Sequence, residues 1–371
     1  MNAPLIRYVE PVFRPPSEAE SLILPVTDGC SWNACTFCEM YTAPQKAFRA
    51  RSEDEVLTSI RQVGERYGNR VRRVFLADGD ALVLPTRRLL AILEAIRTHL
   101  PAVHRVSSYC LARNLKKKTV AELTSLREAG LSMAYLGAES GDDLVLEKVK
   151  KGETHDSTRA ALDKLGEAGI TRSVMILNGL GGLIYSDQHA DHSARLANAT
   201  QPEFLSTLVV SFPQGEARFR ADFPEWEALD QAGLFREMER FLSQLELRRT
   251  VFRSDHASNF LILKGTLGAD KERLLAQVRQ AIANPDSPKP PDRPRQDRFG
   301  RHCGRLPYAA VGDLPARLKD LGRSVGPRSW LVVRELVLRQ HPRVLPRRRL
   351  CQYRHRGRLP SARNHLEPVP G

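Results

Sequence analysis

Residues 127–138 read REAGLSMAYLGA and residues 166–177 read GEAGITRSVMIL. Each phrase closes a helix and opens a strand. Gly130 and Gly169 stand where a helix ends in a left-handed residue, and an apolar run follows at once. A chain that writes this phrase twice is stacking βα units.

Similar runs recur outward from this pair: LILPVT at 22–27, RVFLAD at 73–78, HRVSSY at 104–109, MAYLGA at 133–138, RSVMIL at 172–177 and LSTLVVSF at 205–212. Between them lie helical patterns. Ser52 with Glu55, and Thr119 with Glu122, have capping-box spacing, and Val56, Ile60 and Val63 follow at helical intervals. Six strands alternating with helices predict an α/β fold with a parallel sheet, as an open doubly wound sheet or as a barrel. In both, chemistry gathers at the C-terminal ends of the strands. The polar and glycine-rich signals fall there: a three-cysteine loop after the first run, DGDAL after the second, ESG after the fourth and NGLGG after the fifth.

The chain has 371 residues and a formal charge of +14, but the charge is not evenly spread. Residues 289–371 hold 20 Lys and Arg against 6 Asp and Glu, together with 11 of the 24 prolines, so the first 288 residues are neutral. This segment reads as a poorly ordered appendage or an out-of-frame terminus. The other reading is an arm for nucleic acid. The N-terminus lacks a secretory pattern and no run approaches a membrane span, so a cytoplasmic protein with no membrane partner is expected.

Three of the six cysteines fall within DGCSWNACTFCEMY at 28–41, as Cys30, Cys35 and Cys38. Clustered thiols in a long cytosolic chain point to metal or redox chemistry, not to a disulfide framework. A structural zinc site wants four protein ligands. Here Cys110 ends another strand, and Cys303 and Cys351 lie in the basic segment. Three thiolates suit a four-iron cluster whose fourth iron is left for a substrate or cofactor.

The loop, in its place after the first strand, resembles that of the radical S-adenosylmethionine (radical SAM) enzymes, whose motif is usually CxxxCxxC. This chain has CxxxxCxxC, one residue longer in the first gap. The resemblance covers roughly residues 21–212. It implies a partial (β/α)6 TIM-like barrel in which Cys30, Cys35 and Cys38 hold a [4Fe-4S] cluster. The open iron would bind the amine and carboxylate of S-adenosylmethionine, and one electron would release a 5′-deoxyadenosyl radical that takes hydrogen from a substrate. The resemblance further implies cofactor-binding roles for Phe37 near the adenine, for Asp78, Gly79 and Asp80 at the methionyl amine, for Glu139 at the ribose hydroxyls, and for Asn178 and Gly179 beneath the adenine. An electron donor such as flavodoxin or ferredoxin would be a partner.

The domain plan is an N-terminal extension over 1–20, the core barrel over 21–212, a substrate-covering extension over 213–288 and the basic tail over 289–371. Within the extension, Arg253, Asp255, His256, Ser258, Asn259 and Lys264 crowd between apolar residues, as in a strand-loop-strand. Arg253, Asp255, His256, Asn259 and Lys264 are therefore candidates for contact with a small-molecule substrate; the equal alternative is a hydrogen-bonded loop that closes the open side of the barrel, with His256 as a structural histidine. His189 and His192 share helical spacing; as a metal pair they would need further ligands, and they are expected to be exposed or capping residues. Cys110 is expected to be a buried inert thiol, with a second-sphere place at the barrel mouth as the alternative. A reading from a different class is a nucleic-acid-binding protein whose cysteines hold structural zinc. An intermediate one is a radical SAM enzyme that modifies RNA, with the tail as its arm.

Overall fold

In a computed structural model, residues 4–284 are described. The expectations for the basic tail, including Cys303 and Cys351, lie outside them. Eight strands form one sheet in chain order: β1 (Leu22–Pro25), β2 (Arg73–Ala77), β3 (Arg105–Cys110), β4 (Leu131–Glu139), β5 (Thr171–Asn178), β6 (Phe204–Val209), β7 (Val251–Ser254) and β8 (Leu263–Thr266). The first seven run parallel and β8 returns antiparallel to β7. The six predicted strands are β1 to β6. The predicted strand-loop-strand of the extension is β7 and β8, which carry the same sheet onward from β6 instead of forming a separate layer.

The helices between these strands are α1 (Glu53–Tyr67), α2 (Thr86–His99), α3 (Val120–Glu128), α4 (His155–Glu167), α5 (Gly182–Thr200), α6 (Gln231–Gln244) and α7 (Lys271–Ala283), with shorter turns among them. Their starts follow from the sequence. Ser52 Oγ accepts the Glu55 N–H, and Thr119 and Glu122 complete a reciprocal capping box. Gly169 ends α4 at φ 72°, a conformation in which a Cβ would be strained.

Alternation along the strands divides the sheet into two faces. Leu24, Leu76, Val106, Ala134, Leu136, Val174, Ile176, Leu205 and Phe252 pack against Val56, Ile60, Leu89, Ile92, Leu123, Leu162 and Leu242 of the helices. Each fully buried side chain of this kind contributes about 1.5–3 kcal/mol relative to exposure. The opposite, inner face carries Ile23, Phe75, Ala77, Met133 and Tyr135. Phe75, Tyr109 and Tyr135 meet edge to face there. The N-terminal segment lies against this group: Tyr8 donates to Ile23 O at 2.9 Å, and the Tyr135 hydroxyl reaches the buried Glu18 carboxylate at 2.5 Å.

Candidate active site

The cysteine loop begins where β1 ends and is fixed by the loop after β2. Asp78 accepts the Gly29 N–H at 3.2 Å and pairs with Lys46 Nζ at 2.5 Å, both side chains being buried. Gly79 N–H donates to Gly29 O at 2.9 Å. Asp80 accepts the Ser31 N–H at 2.9 Å, the Ser31 hydroxyl and the Asn114 amide at 3.2 Å. The Asp-Gly-Asp of the sequence is thus a cradle for the residues on either side of Cys30. Burial pushes the carboxyls of both Asp78 and Asp80 upward, against the cation or donors that face them.

Cys35 is buried, and Cys30 and Cys38 are partly so. Burial pushes all three thiols up, Cys38 to about 12; at Cys30 the Asp80 charge adds to it, and at Cys35 the Lys151 cation opposes it. The thiols are therefore protonated at neutral pH until a metal displaces the proton. Among the described residues no three Cys, His, Asp or Glu side chains gather closely enough to hold one metal ion. A four-iron cluster does not ask for that, because each thiolate takes a different iron.

On the far side of the loop, Glu139 ends β4 at φ 67° after a bulge, and its carboxylate folds back over Gly137, where a Cβ would overlap it. Lys151 Nζ lies 3.3 Å from Glu139 Oε1 and 5.9 Å from the centre of the Phe37 ring. Asp78 Oδ1 and Glu139 Oε2 are both buried without a hydrogen-bond partner. Buried carboxylate oxygens normally have one. Two acceptors left open beside three thiols fit a ligand rich in donors, such as the ammonium and ribose hydroxyls of S-adenosylmethionine, so the residues present suit both cofactors.

Asn178 and Gly179 lie at the end of β5, as the sequence places them, yet the Gly179 N–H is spent on Glu237 Oε1 at 2.6 Å and its carbonyl accepts from Trp226 Nε1 at 3.2 Å. Glu237, on α6, also accepts the Ser186 hydroxyl at 2.7 Å, and burial pushes its carboxyl up to about 7. The segment after β6 covers the cysteine loop. Arg218 donates to Cys38 O at 2.8 Å, the Gln214 N–H donates to Glu39 at 3.0 Å, and Phe212, Phe219, Phe223 and Trp226 form an apolar cluster that includes Phe37.

The substrate-contact candidates divide. Asn259 stitches its loop to β6 and β7, accepting the Val209 N–H and donating to Thr207 O and Ser254 Oγ, each at 2.9 Å. Asp255 and Lys264 pair with each other at 2.8 Å. His256 bonds Ser258 at 2.9 Å, and burial lowers its pKa. Arg253 is exposed on the inner face, in register with Ser206 and opposite Lys264. Cys110 is the buried thiol expected, packed into the helix-facing core and not at the mouth, because it lies on the same face of its strand as Val106. One further expectation is corrected. His189 is buried, bonded to Ser140 at 2.8 Å, while His192 pairs with Asp142 at 2.6 Å. An open polar hollow lined by Asp191, Arg195, Gln244 and Glu246 involves none of the site residues.

Sequence reasoning missed Trp32, Lys46, Lys151, Arg218 and Glu237. Charged residues are mostly solvated, so nothing in the local sequence of Lys46, Arg218 or Glu237 marks them, and Trp32 stands between the cysteines as a spacer. Lys151 alone had a signal, standing within the run that follows ESG.

Residues 24–197 match the family model described as the radical SAM superfamily, whose members use a [4Fe-4S] cluster and S-adenosylmethionine. No curated protein matches the sequence. Similar solved structures include coproporphyrinogen III oxidase (HemN) from Escherichia coli, at 15% identity over 60% of this chain and 52% of that one, with a TM-score of 0.46. The radical S-adenosylmethionine methyltransferase TsrM from Kitasatospora setae, with cobalamin and a [4Fe-4S] cluster bound, is 16% identical over 87% of this chain and 61% of that one, with a TM-score of 0.46. Methylornithine synthase (PylB) is 16% identical over 76% and 84%, with a TM-score of 0.40. The chain thus spans about half the length of the first of these. Among the described residues no helix is long and apolar enough to cross a membrane.

Proposed function

Because residues 24–197 are a radical SAM domain, we propose that this chain is a radical SAM enzyme that holds a [4Fe-4S] cluster on Cys30, Cys35 and Cys38 and acts on a small-molecule substrate. The observation that carries the reading is the pairing of a three-thiol loop with two buried carboxylates, Asp78 and Glu139, each with one unpartnered oxygen. Bound together, the cluster and S-adenosylmethionine supply reductive cleavage of the sulfonium and hydrogen abstraction, which the cofactors and not the protein perform.

The protein's residues bind, orient and exclude water. Asp80 and Gly79 fix the backbone at Cys30. Asp78, through Oδ1, would receive the ammonium of S-adenosylmethionine, while Lys46 holds that carboxylate in place from the other oxygen. Glu139, through Oε2, would receive the ribose hydroxyls, while Lys151 stops the carboxylate swinging away. Phe37 would offer an apolar face to the adenine, and Asn178 and Gly179 would support it, Gly179 being held by Glu237 and Trp226. The aromatic cluster of residues 212–226 keeps water from the loop. Arg253, His256 and the Asp255–Lys264 pair face the substrate, with Asn259 holding their loop. The enzyme works as an oxidoreductase in the cytoplasm, with a flavodoxin or ferredoxin as its electron donor.

Anaerobic reconstitution with iron, sulfide, S-adenosylmethionine and a reductant tests this directly. The parent is expected to carry four irons and to form 5′-deoxyadenosine, and Cys35→Ala is expected to form none. Zinc in place of iron, or undiminished product from Cys35→Ala, would refute it.

A further inference from the structure

The first gap of the cysteine motif has four residues, Ser31 to Ala34, and each of the first three is used differently. Ser31 turns inward to Asp80. Asn33 takes a left-handed conformation, φ 44°, and its amide donates to Tyr41 O at 2.9 Å, which turns the chain back toward Cys35. The side chain of Trp32, between them, is gripped on three sides. Its Nε1–H donates to Lys150 O at 2.8 Å. The Arg113 guanidinium lies 3.6 Å from the centre of its ring, a separation at which cation–π attraction is strong. Gly152 makes room for the ring, since a Cβ there would overlap both the indole and Arg113.

The turn that grips Trp32 is also the turn that carries Lys151. Lys150 and Gly152 flank it in the chain, and Lys151 Nζ reaches Glu139. Arg113 locks the same turn by donating to Gly152 O and to Glu153 at 3.0 Å. The indole therefore joins the first gap of the thiol loop to the turn bearing the Lys151–Glu139 pair, beside a second tie from the Thr36 N–H to Val149 O at 3.0 Å.

We infer that Trp32 is a positioning residue that sets the register between the thiol ligands and the Lys151–Glu139 pair. This rests on the reading of the domain as a cluster-bearing radical SAM enzyme. Removing a group that orients metal ligands through a neighbour costs roughly 10- to 100-fold in metal affinity, and that is the effect expected here.

The test uses reconstituted full-length protein and two readouts besides turnover: the rate at which a chelator strips iron, and the S-adenosylmethionine concentration that half-converts the EPR signal of the reduced cluster. Trp32→Ala is expected to lose iron roughly 10- to 100-fold faster than the parent and to need more S-adenosylmethionine. Trp32→Phe, which keeps a ring over Arg113, should fall closer to the parent. Arg113→Lys, which keeps the positive charge that acts on Cys35 and Asp80 but loses the planar group stacked on the indole, should shift both readouts the same way by less, and it carries the test if Trp32→Ala does not fold. Parental stripping rates and parental half-conversion in the variants overturn the inference, even if their melting temperatures fall, because Trp32 would then serve stability alone. The parent's own four-iron signal reports on the reading of the domain, and the difference between parent and variants reports on Trp32.

Discussion

Gly79→Ala separates the cradle from the rest of the fold. An ideal Cβ on Gly79 would stand 2.7 Å from Gly29 O, 2.8 Å from Cys30 Cα and 2.8 Å from Cys30 Cβ. Two of these atoms are backbone and the third is the root of a ligand side chain, so no flexible tip can yield. The loop after β2 and the cysteine loop must move apart, which also lengthens the 2.9 Å bond from Gly79 N–H to Gly29 O. Overpacking of this kind costs about 1–3 kcal/mol. In a domain of this size that is a fall in melting temperature of roughly 2–12 °C. The displacement falls on Cys30, so iron content after reconstitution should drop in the same variant. Gly130→Ala is the control: its φ is 120° but nothing lies within 4 Å of the new Cβ. It should cost about 1 kcal/mol of backbone strain and leave iron content unchanged. The readouts are thermal unfolding of the metal-free protein and iron per chain. If Gly79→Ala loads iron like the parent and melts with it, the cradle has been misread.

Lys46→Met should destabilise the protein by about 3–5 kcal/mol in denaturant titration, because it strands the buried Asp78 carboxylate; the double variant with Asp78→Asn should recover much of that. Glu237 titrates near 7 in the fold against an ordinary 4.5, burial being the largest cause. The folded state holds this proton more tightly than the unfolded one, so the contribution is fully present below about pH 4.5 and is lost as pH rises through about 7. The stability of the parent minus that of Glu237→Gln should therefore decline across that window, by at most about 3 kcal/mol. His189 Nε2 stands 4.0 Å from Glu237 Oε1, but burial pushes its pKa down to about 4, so in the folded state it stays neutral across most of this window in both proteins; a flat difference would contradict the assignment. Finally, burial pushes all three loop thiols upward, so under the proposed function cluster assembly releases protons. Iron uptake by the metal-free protein should rise with pH between about 6.5 and 8.5, and a pH-independent yield would count against protonated thiols.

Much of this protein is written locally. The repeated phrase around Gly130 and Gly169, the capping boxes at Ser52 and Thr119, and the apolar runs give the βα order, because helix caps and strand alternation depend on residues within a few positions of one another. The cysteine spacing likewise sets three thiols within nine residues of one loop. The places of Asp78, Glu139 and Asn178 follow from one rule, that loops at the C-terminal ends of parallel strands converge.

Only the tertiary structure decided how those loops use one another. Asp80 and Gly79 prove to brace Cys30, 49 residues away in the case of the Ser31–Asp80 bond, and Gly179 spends its N–H on Glu237, 58 residues away. Lys46 and Lys151 look like ordinary solvated lysines in the sequence, yet both are buried against carboxylates. Arg218 and Trp32 hold the cysteine loop through partners far away in the chain. The strand-loop-strand at 251–266 was legible, but its joining the sheet beside β6 was not. The reason is common to all of these: a cap or a strand is selected by neighbours along the chain, whereas a buried ion pair or a stacked indole is selected by whatever the fold brings opposite it, and the sequence does not carry that partner beside the residue.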